Sequence, residues 1–172
     1  MSQDDRSTEA LLKRRAEQLA TLPLAGDLGD EVEVLACQIG VERYAVETRH
    51  LRAVQWTNVV TPVPCTPSFV LGIVSVRGEI VTLLDLATML ALRATPRVFD
   101  GAAQMPVLLL GLPGMRAGLV VDEVIGVERL KLDALQPAPS GREFVRGVGP
   151  RDTVMLDLEA LFGSGRFNVS DE

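Results

Sequence analysis

Asp85 and Asp157 are the two side chains of this 172-residue chain whose type and setting first suggest chemistry. A pair of carboxylates can divide the work of acid and base, or of acid and nucleophile, as in glycoside hydrolysis. Each sits in the same tripeptide, Leu84-Asp-Leu86 and Leu156-Asp-Leu158, where an apolar run hands over to a short helical stretch. That setting supports a second reading, because an Asp just before a helix accepts a backbone N–H as an N-cap. The rest of the inventory is thin. His50 is the sole histidine and precedes a β-like segment with no carboxylate motif beside it, which suits a structural role. Asp122 stands in a turn, a common place for Asp. Cys37 and Cys65 lie in or near apolar segments without metal-ligand spacing and read as reduced core thiols. No phosphate-binding Gly-rich loop, Gly-x-Ser-x-Gly elbow or His-Glu-x-x-His helix occurs. The residues favour a protein that binds other proteins, with no cofactor, over a small enzyme built on Asp85 and Asp157.

The elements that carry the two aspartates repeat. Phe69-Val-Leu-Gly-Ile-Val-Ser-Val-Arg-Gly-Glu-Ile-Val-Thr-Leu-Leu-Asp-Leu86 is echoed by Phe144-Val-Arg-Gly-Val-Gly-Pro-Arg-Asp-Thr-Val-Met-Leu-Asp-Leu158. Both copies begin Phe-Val-x-Gly, pass through a turn carrying an Arg, and end on an apolar run into Leu-Asp-Leu. Two copies are fewer than the roughly three that a solenoid requires. Two related β-rich halves follow from the echo; chance similarity between two strand-turn-strand units is the competing explanation. Alternation over Val32–Cys37 and again over Leu51–Trp56 adds strands, and Pro62, Pro64 and Pro67 stiffen a crossover between the second of these and Phe69. Segments 106–112, 115–121 and 123–130 read as a meander of hairpins, broken at Pro113-Gly114 and Asp122. Short strands with Gly and Pro turns predict small barrels. The expected division is a helical extension and linker over 1–29, a paired β domain over 30–163 split into 30–92 and 93–163, and a mobile tail over 164–172. In the extension, Leu12, Ala16 and Leu19 make a narrow stripe on a helix that either docks or frays.

Composition narrows the function classes. Hydrophobic residues make up 47% of the chain and charged residues 23%, which places it among globular proteins. A net charge of −6 opposes a nucleic-acid partner, which would want clustered Lys and Arg. No apolar run approaches the ~20 residues of a membrane helix, so direct membrane insertion is not expected. The polar, acidic start lacks a secretory pattern, and the expected compartment is the cytoplasm.

The stretch Cys65–Leu86 resembles the signature of the CheW family, the adaptor proteins of bacterial chemosensory arrays. Gly118-Leu-Val-Val-Asp-Glu-Val-Ile-Gly-Val127, Phe144-Val-Arg-Gly-Val148 and Val154-Met-Leu-Asp-Leu158 resemble its later strands in the same order, so that the likeness spans about residues 31–162. The resemblance implies a mainly β fold of two side-by-side five-stranded SH3-like barrels with short helices. It also implies a non-enzymatic adaptor at receptor arrays. Its partners would be the cytoplasmic tips of methyl-accepting chemoreceptors and the regulatory domain of a CheA-type histidine kinase, with other CheW-like domains as further partners. The family's receptor- and kinase-contacting positions fall on Leu51, Gly72, Arg77 and Val124, with Val54 and Gly78 as neighbours. A groove between two barrels lined by Leu and Val can accept one face of a helical hairpin. Arg77 reads either as an exposed interface anchor or as half of an internal salt bridge, and Gly72 as a site of close backbone approach. The chain departs from the family pattern at Ala53, Ser75-Val76 and Thr82. These departures leave room for a CheW-like paralogue serving gliding, twitching or another pathway.

Overall fold

The computed structural model describes residues 30–95 and 97–167. The expected helix over 7–20 and the linker after it lie outside those residues. Among the described residues, ten strands and two short α-helices follow one another: β1 (Glu31–Ile39), β2 (Glu42–Glu47), β3 (Leu51–Thr57), β4 (Val70–Val76), β5 (Glu79–Asp85), α1 (Leu86–Met89), β6 (Met105–Leu110), β7 (Ala117–Val120), β8 (Glu123–Lys131), β9 (Val145–Val148), β10 (Val154–Leu156) and α2 (Leu158–Gly163). They build two five-stranded sheets, in the orders β8-β1-β2-β10-β9 and β3-β6-β7-β5-β4.

The expected pair of five-stranded units is present, but the sheets do not divide at residue 92. The first hairpin of each half joins the last three strands of the other half. β8 leaves the expected meander and pairs antiparallel with β1, from Glu31 opposite Lys131 to Gln38 opposite Glu123. The mirror exchange pairs β3 with β6, from Leu51 opposite Leu110 to Thr57 opposite Met105. The physical reason is that a lone two-stranded hairpin cannot bury a face, and each half supplies the sheet that the other half's hairpin needs.

This exchange obeys an internal two-fold that the sequence echo had announced. The Phe69 carbonyl accepts the Asp85 N–H at 2.8 Å, and the Phe144 carbonyl accepts the Asp157 N–H at 2.9 Å. Thr61 bridges Ile73 along the edge of β4, as Gln136 bridges Val148 along the edge of β9. A bulge interrupts β3 between Leu51 and Ala53, and the matching irregularity in the β1–β8 ladder falls opposite Val124 and Gly126. The register therefore equates Leu51 with Val124, Val54 with Val127 and Trp56 with Arg129.

Period-two burial sorts the side chains into three clusters. Val76, Val81, Leu83, Val107, Leu109 and Val120 fill one barrel. Val34, Ala45, Leu130 and Met155 fill the other. The alternate residues of the same strands, among them Leu35, Cys37, Leu84, Leu108, Leu110 and Leu156, join Leu86, Leu158 and Leu161 of the helices in a larger core shared by both barrels. Each wholly buried Leu there contributes about 1.5–3 kcal/mol. The Phe167 ring packs edge-on against Phe69 and Phe144, one from each copy of the repeat, at centroid distances of 5.1 and 5.8 Å.

Candidate functional site

The two aspartates are helix caps in separate sheets. Asp85 has no exposed surface; its carboxylate accepts from the Ala87 N–H at 3.2 Å, the Thr88 hydroxyl at 3.0 Å and the Arg97 N–H at 3.1 Å. Asp157 accepts from the Ala160 N–H at 2.9 Å. Each carboxylate is occupied in starting its own helix, which removes the basis for a catalytic pair. Arg97, in the connection between the halves, also pairs with Asp122, which in turn accepts the Gly40 N–H at 2.5 Å. Burial alone would raise the Asp122 carboxyl, but the Gly40 N–H, Arg97 and Arg93 outweigh it and hold it below the ordinary carboxylate range. Asp122 is thus a hub that ties both barrels to the connection.

The other chemistry-bearing residues are similarly spoken for. His50 is buried, with Nε2 3.0 Å from Glu159 Oε1 at the start of α2. Cys37 lies in the shared core, where burial and then the Asp122 charge push its thiol up to about 12. Cys65 is exposed in the proline-rich crossover, against the expectation of a second core thiol. Among the described residues no group of three or more His, Cys, Asp or Glu is arranged to hold a metal ion, and no helix is long and apolar enough to cross a membrane.

The six residues singled out by the sequence fall into three settings. Leu51, Val54 and Val124 are partly buried at the margin of the shared core. Opposed residues of an antiparallel pair share a face. Leu51 opposes Leu110, Val54 opposes Leu108 and Val124 opposes Cys37, so all three stand on the faces that the barrels turn toward each other. Arg77 and Gly78 form the two-residue loop between β4 and β5, both with positive φ, 50° and 83°, as a type I′ hairpin turn requires. Arg77 is exposed and, among the described residues, has no carboxylate within 4.0 Å, so the internal salt bridge is not formed there. An ion pair of 2.9 Å between Arg52 and Glu79 holds the base of that loop beside β3. Gly72 is set apart. It is buried in β4 at φ +143°, where a Cβ would overlap the Thr61 carbonyl oxygen and lie 2.7 Å from Val60 Cγ1. Its place is in the strand-to-crossover contact, and it offers a partner no surface.

Three further residues of β3 and β8 are exposed and were not singled out. Trp56 and Val127 share the faces of Val54 and Val124 yet remain 55% and 59% exposed, and Ile125 protrudes at the bulge of β8. The alternation over Leu51–Trp56 carried part of this signal, but the bulge shifts its parity. For β8, the face is defined by β1, which lies far away in sequence. The edge strands of the two sheets, β3 and β8, thus each carry exposed apolar side chains, with Arg52 on β3 and Arg129 on β8.

The profile of the CheW-like domain matches residues 33–166, most of the chain and all ten strands except the start of β1. The chain belongs to the CheW family. It is 27% identical over 138 residues to a probable chemotaxis protein CheW of Rhizobium etli, covering 76% of this chain and 86% of that protein. It is 32% identical over 122 residues to the protein FrzA of Myxococcus xanthus, covering 69% and 71% of the two chains. Its fold superimposes on the crystal structure of the scaffolding protein TtCheW from Thermoanaerobacter tengcongensis with a TM-score of 0.67 at 23% identity, over 81% of this chain and 99% of that one. The CheW fold thus accounts for both five-stranded sheets and their exchanged hairpins.

Proposed function

We propose that this chain is a non-enzymatic chemosensory adaptor whose inter-barrel groove seats the helical cytoplasmic tip of a methyl-accepting chemoreceptor, coupling it to the regulatory domain of a CheA-type histidine kinase. The observation that carries this reading is the exposed apolar surface of the two edge strands, β3 and β8. Leu51 and Val54 from one sheet, and Val124 from the other, border the shared core where Trp56 and Val127 are left exposed. Large exposed apolar side chains on edge strands mark an interaction surface. A helix that lays one apolar face into a groove is a recurrent way of using such a surface. Arg77, projecting from a rigid two-residue turn, supplies a planar charged anchor of the kind enriched at interface hot spots. Association with receptor arrays follows from the same contacts.

The test is a three-component reconstitution. Purified chain, the receptor's helical tip and the cognate kinase are mixed, and kinase autophosphorylation is followed with radiolabelled ATP. Receptor-dependent stimulation that needs the chain is the expected result, with each interface near 800 Å² per partner. No binding to any CheA-type kinase of the same organism would defeat the proposal. The likeness to FrzA supports a second reading, in which the same adaptor chemistry serves a gliding, twitching or other CheW-dependent pathway. The kinase that responds in the reconstitution separates the two.

A further inference from the structure

The five Phe and the single Tyr of this chain are unevenly placed. Phe144, Phe167 and Tyr44 line one cavity of about 820 Å³, and Phe69 backs it through a 5.1 Å edge-on contact with Phe167. More of the wall comes from Met89 to Leu92, at and just after the end of α1. Because α1 follows β5 of one sheet and Tyr44 lies on β2 of the other, the cavity is built from both barrels. We infer that it binds a small aromatic carboxylate. Its volume falls within the range of about 300–1,000 Å³ usual for small-molecule sites. Phe144 and Phe167 meet at 66° with centroids 5.8 Å apart, an edge-to-face geometry that a further ring extends.

Two guanidinia line the same cavity and supply the contacts for the acid group. Arg142 gives Glu42 hydrogen bonds of 3.3 and 3.5 Å, and Arg166 gives Glu143 one of 3.3 Å. These are longer than the roughly 2.7–2.9 Å of a strong charge-assisted bond, and exposed pairs of this kind hold weakly. The forked donors of each guanidinium exceed what such bonds use, so donors are left for a ligand's carboxylate. The local turn does not call for Arg142: its carbonyl accepts the Val145 N–H, and at the equivalent place in the first copy the Pro67 carbonyl accepts the Val70 N–H. The register likewise equates Tyr44 with Ala117. Cation and aromatic ring thus belong to this cavity and not to the repeat. Two carboxylates oppose an anion here. Glu42 is occupied by the Tyr44 hydroxyl and by Arg142. Glu143 lines the cavity with 70% of its side chain exposed, and it turns to water when a ligand takes Arg166.

The experiment titrates the full chain calorimetrically with naphthylacetate, with naphthylacetamide as the neutral isostere and decanoate as an acyl anion. Saturable binding of naphthylacetate below about 1 mM is expected, with the amide and decanoate each roughly tenfold weaker or more. Arg142→Gln and Arg166→Gln should each weaken naphthylacetate roughly three- to tenfold. Glu143→Gln should tighten it about threefold, because it frees Arg166. Leu92→Trp fills the cavity from a position that is already 40% exposed; it should block binding while the melting temperature without ligand stays within about 2 °C of the parent. The inference is overturned by a parent without saturable binding, by an amide or decanoate that binds as tightly, by arginine or Leu92→Trp variants that bind like the parent, or by Glu143→Gln that fails to tighten binding. No partner protein enters the assay, so its outcome stands apart from the proposed function.

Discussion

Replacing Gly72 by Ala separates a structural role from a contact role at a position where family resemblance places partner binding. The added Cβ would overlap the Thr61 carbonyl oxygen and lie 2.8 Å from the Thr61 carbonyl carbon, so the backbone of the crossover must move. Two costs combine: a φ of +143° that L side chains rarely adopt, at about 1–3 kcal/mol, and overpacking against backbone, at about 1–3 kcal/mol. The paired hydrogen bonds between Thr61 and Ile73, 2.9 and 2.8 Å, would be disturbed as well. We expect a loss of about 4 kcal/mol, or a fall in melting temperature of roughly 8–16 °C for a domain of this size. Gly78→Ala is the reference, because a Cβ there meets nothing within 4 Å and only the φ of +83° is unfavourable, at about 1–2 kcal/mol. Gly147→Ala, whose Cβ would lie 2.8 Å from the Gln136 carbonyl oxygen but whose φ is ordinary, should carry the overpacking cost alone, about 1–3 kcal/mol. Urea denaturation at constant m value measures all three. The reasoning is refuted if Gly72→Ala is no less stable than Gly78→Ala, and a loss of kinase or receptor binding at an unchanged midpoint would make Gly72 a contact residue after all.

Three other outcomes are expected. Arg77→Ala should leave folding within about 0.5 kcal/mol while weakening kinase or receptor binding by roughly 2 kcal/mol or more, with Arg77→Lys recovering only part of the loss; an unchanged affinity would remove Arg77 from the interface. Asp85→Ala should cost about 2–4 kcal/mol, since it removes an N-cap and leaves the buried Arg97 N–H and the Thr88 hydroxyl without their acceptor while the Arg97 guanidinium keeps Asp122, whereas Asp157→Ala should cost about 1 kcal/mol as a lost N-cap; equal effects would show that the contacts of Asp85 beyond the cap carry no stability. Fragments cut between Asp100 and Gly101 should each lack cooperative melting by circular dichroism and regain it on mixing, because β1 needs β8 and β6 needs β3; a fragment that melts cooperatively alone would contradict the exchange of hairpins.

Much of this protein is legible from the chain alone, and the reason is locality. Alternation, Gly and Pro turns and the Leu-Asp-Leu caps each act within a few residues, so they announce short strands, two short helices and the roles of Asp85 and Asp157. The two-residue Arg77-Gly78 turn is equally local, and the repeat of Phe69–Leu86 at Phe144–Leu158 reports a symmetry that the paired Phe-to-Asp hydrogen bonds reproduce. What the chain could not show was which copy of each element pairs with which. The hairpins of related halves have near-equivalent edges, and the choice of β8 for β1 and of β6 for β3 is made by long-range burial in a core shared between the sheets. The same burial decides the site. Leu51, Val54, Trp56, Val124 and Val127 come from distant strands, and two bulges rotate which of their neighbours face outward. That Leu51, Val54 and Val124 pack against one shared core is decided only once both barrels have closed against each other.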